Sequence, residues 1–150
     1  MRLMSEFANN PIQLVQPNQN VILDAVIPCN KGYVIHREQS GILILRGITN
    51  NCFARYQVTV NGNIALPEDA AAVVPISIAL AIDGEPVQTS RAIYTPAAVD
   101  EYGNVTSTAI ITVPKGCCFT VAVENTSAAV DGVAPAINVQ NMNVTVSRIA

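Results

Sequence analysis

The chain has no tryptophan, one histidine and few charges. Asp, Glu, Lys and Arg make up only 13% of its 150 residues, roughly half the usual share. Aromatics contribute 5%, although half of the residues are hydrophobic. Each shortage excludes something. A single histidine, His36, rules out multi-histidine metal sites and the HExxH zinc peptidases, which need two imidazoles on one helix face. Lack of tryptophan counts against a stacking cleft for sugars. The basic residues are scattered under a net charge of −3, which argues against a nucleic-acid groove built from clustered Lys and Arg. No apolar run reaches the length of about 18 residues that a membrane helix needs. The first residues, MRLMSEFANN, hold no apolar stretch like that of a secretory leader, so the expectation is a protein folded in a cytoplasm. There is no glycine-rich phosphate loop and no GxSxG elbow. The expectation is a protein without enzymatic activity and without a cofactor or metal.

The four cysteines, Cys29, Cys52, Cys117 and Cys118, form no CxxC pair. They read as small buried thiols. Cys117 and Cys118 are adjacent on an expected strand, so one should face the core and the other the opposite surface. A zinc site from Cys29, His36 and the vicinal pair is disfavoured, because adjacent cysteines rarely chelate one ion. A Cys–His nucleophile has no local support, and His36 reads as a polar loop residue beside Arg37 and Glu38. The acidic pairs Glu68-Asp69 and Asp100-Glu101 read as loop solvation, since neither has the spacing of a calcium loop. Sequons at Asn104, Asn125 and Asn143 are expected by chance in a chain this rich in Asn, Ser and Thr, and Asn125 suits a turn.

What is present is alternation. Residues 53–60 place Ala54, Tyr56, Val58 and Val60 on one side; residues 105–113 and 117–124 alternate in the same way. Period two marks a strand with one buried face. The spacing predicts strands at 12–15, 21–27, 33–36, 41–46, 53–60, 63–66, 76–82, 86–94, 105–113, 117–124 and 137–149. GILILR at 41–46 reads as buried on both faces. Asn61-Gly62 is the strongest hairpin dipeptide in the chain. Pro114-Lys115-Gly116 reads as the turn of a second hairpin spanning 104–127. Asn141-Met142-Asn143 interrupts the last strand as a bulge would. The Ala70–Ala72 run is too short for a helix. Residues 1–10 read as a flexible arm ahead of one domain, 11–150. About eight to ten antiparallel strands without a convincing helix indicate an all-β, single-domain, two-sheet jelly roll. The low charge suggests that surface is hidden in an oligomer.

Three stretches in order resemble tumour-necrosis-factor-like and complement-globular-head jelly rolls. GILILRGITNNCFARYQVTV at 41–60 is similar to an apolar strand and turn leading to a strand of type Y-x-V, with Tyr56 and Val58 in place. ISIALAIDGEPVQTSR at 76–91 is similar to the following hairpin through Leu80, Gly84 and Ser90, with Asp83 where Asn is usual. Residues 111–127 followed by 139–149 resemble the end of the fold through Gly116, Val121, Asn125 and Ser127. The stretches CNKGYVIHREQSGILIL, ALAIDGEP and VPKGCCFTVAVENTS also resemble structural proteins of phages and prophages of gut bacteria.

The resemblance implies a jelly roll of about ten strands that assembles as a tight homotrimer and generally has no active site. It implies a phage virion structural protein, a capsid decoration or head fibre. Its localisation would be the virion, its partners other copies of itself and the major capsid protein or another virion protein. A carbohydrate- or receptor-binding module of a bacterial or phage surface is the alternative, with loops 67–75, 96–103 and 128–135 as the contact region and a host-surface glycan as partner. Neither nucleic acid nor membrane is implied. In the look-alike fold the inner sheet packs around the trimer axis, which nominates Tyr56, Val58, Phe119 and Met142. The chain lacks the aromatic core of the animal families and any collagen-like stalk, which argues against receptor signalling.

Overall fold

The computed structural model describes residues 3–23, 25–27, 33–36 and 41–150. Within them the chain is all-β: β1 Leu3–Asn9, β2 Gln13–Val15, β3 Ala25–Ile27, β4 Val34–His36, β5 Leu43–Arg46, β6 Phe53–Ala65, β7 Ile76–Ile82, β8 Glu85–Pro86, β9 Ala92–Tyr94, β10 Gly103–Pro114, β11 Cys118–Asn125 and β12 Ile137–Arg148. A single 3-10 turn at Gln88–Ser90 is the helical element among these residues. Sheet I runs β10-β6-β12-β1-β3, with β2 also on β12. Sheet II runs β4-β5-β11-β7-β8, with β9 also on β7. The described pairings are antiparallel. The two sheets close on an aliphatic core that includes Leu45, Val58, Ile64, Leu80, Val123 and Val144. This is the expected two-sheet jelly roll.

Several local expectations are corrected. Residues 3–9 are not an arm. They form β1, paired with β12 from Leu3↔Arg148 to Asn9↔Met142, and Phe7 is fully buried. Phe7 stands among Ser5, Glu6, Ala8 and Asn9, so the alternation around it is too faint to read.

Asn61-Gly62 does not turn the chain; β6 runs straight through it. Gly62 is there for close approach. A Cβ at that position would stand 2.8 Å from Met142 Cε and 3.1 Å from Met142 Cα. Opposite it, β12 carries the expected bulge: the register with β6 slips between Gln140 and Asn143. Asn141 takes a φ of 52° there, a left-handed conformation that Asn tolerates better than most residues.

Residues 104–127 are not a hairpin. β10 pairs with β6 in sheet I, and β11 pairs with β5 and β7 in sheet II. The turn at 114–117 crosses between the sheets and is bonded to the β5–β6 connection, which crosses beside it. Gly47 N donates to Cys117 O at 2.8 Å, Gly116 N to Gly47 O at 3.1 Å and Lys115 N to Cys52 O at 2.9 Å. Alternation reports that one face of each strand is buried. It cannot say whether two such strands meet edge to edge or face to face.

GILILR buries one face rather than two, through Leu43 and Leu45, while Ile44 and Arg46 are half-buried. The strand expected at 33–36 is present as β4, and His36 ends it opposite Leu43, so the reading of His36 as a loop residue gives way to the strand. Cys29 lies outside the described residues. Cys52, Cys117 and Cys118 are free and exposed, not buried. Cys117 sits in the turn and β11 begins at Cys118, so the alternation rule does not apply across the pair.

Candidate functional site

Alternation along sheet I sends one set of residues into the core and leaves the other on a broad outer face. The registers lay that face out in rows. Glu6, Thr145, Thr59 and Thr108 lie across four strands. Ala8, Asn143, Asn61 and Thr106 form the next row, and Ser147, Gln57 and Ile110 another. Charge on these rows and along the adjoining β6 positions is confined to Glu6 and Arg55. The polar side chains bond one another. Thr59 and Thr108 share a hydroxyl hydrogen bond of 3.0 Å. Thr106 Oγ1 donates to Asn61 Oδ1 at 2.8 Å, and Asn104 Nδ2 donates to the same oxygen at 2.9 Å. Cross-strand pairs of this kind hold side chains flat against a sheet. Ile110 stands among them 64% exposed.

The four residues nominated for a trimer axis lie elsewhere. Tyr56, Val58 and Met142 point to the core side of sheet I and are closed off within one chain. Phe119, in sheet II, is half-buried against the same core. Burial raises the pKa of the Tyr56 phenol above its ordinary value, against the opposing pull of Arg148. Its hydroxyl donates to the Arg46 carbonyl. These side chains therefore hold the two sheets together.

The loops at one end of the fold partly converge. Residues of 67–74 and 130–136 line an open groove of about 440 Å³ with Ala, Val and Pro walls. Loop 96–103 is tied beside them by Asp100 N donating to Leu66 O at 2.9 Å, but it does not line the groove. Among the described residues no three His, Cys, Asp or Glu side chains are grouped to hold a metal. Asn125 is fully buried. Its Nδ2 donates to Val15 O and Pro135 O, and its Oδ1 accepts from Ser127 N, each at 3.1 Å. It serves the turn and presents nothing to a glycosyl donor. Asp83 and Gly84, both at positive φ, form the β7–β8 turn, and Asp83 Oδ1 accepts from Thr120 N at 2.9 Å. Ser90 is buried, accepting from Leu80 N at 3.0 Å and donating to Val87 O at 2.7 Å.

Sequence reasoning passed over the opposite end. There Tyr33, Ile48, Thr49, Asn50, Asn51 and Arg148 line a second recess of about 380 Å³. Its members come from three separate stretches, so no local pattern could have assembled them.

Two antiparallel sheets in this order define the class, a two-sheet jelly roll. Comparison with solved structures then specifies its type. The chain superposes on the tumour necrosis factor Eiger of S. frugiperda with a TM-score of 0.67 at 13% identity, covering 99% of this chain and 93% of that one. The globular domain of zebrafish complement 1qA gives 0.63 at 13% identity, covering 99% and 97%. Murine APRIL gives 0.63 at 11% identity, covering 99% and 100%. The fold is that of the tumour-necrosis-factor and complement globular domains. No protein-family model matches the sequence, and no curated protein matches it significantly.

Proposed function

We propose that the protein is a non-enzymatic structural module that works as a homotrimer on a phage virion, as a capsid decoration or head fibre. The observation that carries the oligomer is the outer face of sheet I. It is wide, ordered by its own hydrogen bonds, nearly free of charge, and holds an exposed isoleucine at its edge strand. A face whose described rows carry two charges, Glu6 and Arg55, desolvates at low cost, and closed symmetry would cover the same patch on every copy. The jelly roll shared with tumour necrosis factor and complement domains supports the same arrangement. The virion role is supported by the likeness of three sequence stretches to phage structural proteins, with the major capsid protein or another virion protein as partner.

Light scattering on the purified protein is expected to give three times the monomer mass of 15.9 kDa. Ile110→Asp is expected to lower that mass without unfolding the chain. A wild-type monomer at micromolar concentration would remove the trimer. Mass spectrometry of purified particles from a host carrying the gene tests the virion role, which fails if the protein stays in the supernatant.

A further inference from the structure

We propose that the groove between residues 67–74 and 130–136 docks a partner polypeptide through a lysine side chain. Its volume of about 440 Å³ falls within the range of roughly 300–1,000 Å³ usual for small-ligand pockets. The walls are Ala, Val and Pro, and no aromatic residue lines them. Two residues break the apolar lining, Asp69 on one wall and Asp131 on the other. Both are exposed. No Lys or Arg lines the groove, and none occurs in the chain from 56 to 90 or from 116 to 147. Aliphatic walls are thus combined with negative charge that no lining residue neutralises. The lining residues and their chain neighbours all belong to the described part of the structure.

That combination selects the ligand. Lysine carries its ammonium on a flexible four-carbon stem, which lies along apolar surface while the charged head stays at the wet edge. Arginine gains from stacking on aromatic faces and finds none here. The same lack removes the platform that a nucleobase or sugar ring would use, and the two carboxylates repel phosphate. Exposed Val130 and Val133 extend the apolar contact beyond the stem. Residues flanking a lysine can use that contact, whereas a free polyamine cannot. The walls are also formed in advance, which spares the cost of ordering them on binding. Val130 N donates to Val133 O at 2.9 Å and Val133 N to Val130 O at 3.1 Å, closing a tight turn with Asp131 and Gly132 at positive φ. Asn125 Nδ2, from the core, holds the Pro135 carbonyl at 3.1 Å. On the opposite wall Ala70 N donates to Pro67 O at 3.0 Å. The proposal goes beyond the structural role and rests on neither the trimer nor the virion, because the groove belongs to one chain.

The test is an amide NMR titration of the intact protein at low salt. The probes are the peptide acetyl-AVKVA-amide, the same peptide with its lysine Nε-acetylated, and spermidine. Saturable shifts on both walls of the groove are expected with the lysine peptide alone. Asp69→Asn and Asp131→Asn keep the shape of the walls, since Asn tolerates the left-handed conformation of position 131. Each is expected to weaken binding roughly threefold, the scale of an exposed ion pair. An equal response from the acetylated peptide would show that charge is not read. An equal response from spermidine would point to a polyamine. Either outcome, no response to the lysine peptide, or unchanged binding by the double variant overturns the proposal. Groove shifts that grow with protein concentration and vanish in Lys115→Gln would put a second copy's lysine there and overturn a separate partner. Light scattering on the same samples keeps the two readings apart, since a trimer that ignores the lysine peptide refutes the groove alone.

Discussion

Phe7→Ala is the sharpest test of how the first strand is used. Phe7 sits opposite Val144 in β12 and Val26 in β3, with 1% of its surface exposed. Removing a fully buried phenyl ring costs about 3–5 kcal/mol, combining lost transfer energy with the cavity left behind. Total stability for a domain is about 5–15 kcal/mol, so a large fraction would go. With a urea slope of about 2 kcal/mol per molar, the unfolding midpoint should fall by roughly 1.5–2.5 M. The control is Glu6→Gln on the outer face, expected to change stability by less than about 0.5 kcal/mol. Both should be compared with wild type by circular dichroism at one fixed protein concentration, because self-association makes midpoints concentration-dependent. Equal midpoints for Phe7→Ala and wild type would mean that residues 3–9 do not pack on β12, and the account of sheet I would be wrong.

Three further outcomes are expected. Gly62→Ala forces a methyl group against Met142, including its backbone, and should destabilise by about 1–3 kcal/mol in the same unfolding assay; a neutral or stabilised variant would contradict the close approach. Maleimide labelling of the native protein, mapped by mass spectrometry, should modify Cys52, Cys117 and Cys118 without denaturant, and protection of any of them in a dissociated monomer would count against the described surface. Glu124 is buried on β11, and its pKa is raised, first by burial and then by Glu85. The native state therefore binds its proton more tightly than the unfolded chain does. Its contribution to stability is full below the unfolded pKa and is lost as pH rises through the folded one; Glu124→Gln should flatten that part of a stability–pH curve, and an unchanged curve would remove Glu124 as its source.

The class of fold was legible because it depends on a repeated signal. β6, β10, β11 and β12 each alternate, and aliphatic residues fill the inward positions. The bulge at residues 141–143 was legible too, from polar residues breaking that rhythm. Partnership between strands was not. Val105–Val113 and Val121–Asn125 look like neighbours in sequence, yet they face each other across the core. The Asn-Gly pair misled because its commonest use is a turn, whereas here glycine yields space to a methionine from a strand far along the chain. Phe7 was missed because one aromatic among polar residues sets no period. The outer face of sheet I could be read in part, since Thr106, Thr108 and Thr112 fall on one side. The recess at Arg148 could not, because it exists only once residues near 33, 50 and 148 have been brought together.

The position of β12 bears on how the protein can be made. It lies between β6 and β1, so the first strand's principal neighbour is formed by residues 142–148. During synthesis β1 has to wait for almost the whole chain before that partner emerges. Contacts this distant in sequence slow folding and leave strand edges open meanwhile. A ribosome-bound chain stopped before residue 137 is therefore expected to show a protease-sensitive N-terminal segment, and the same segment should become resistant once β12 has cleared the exit tunnel.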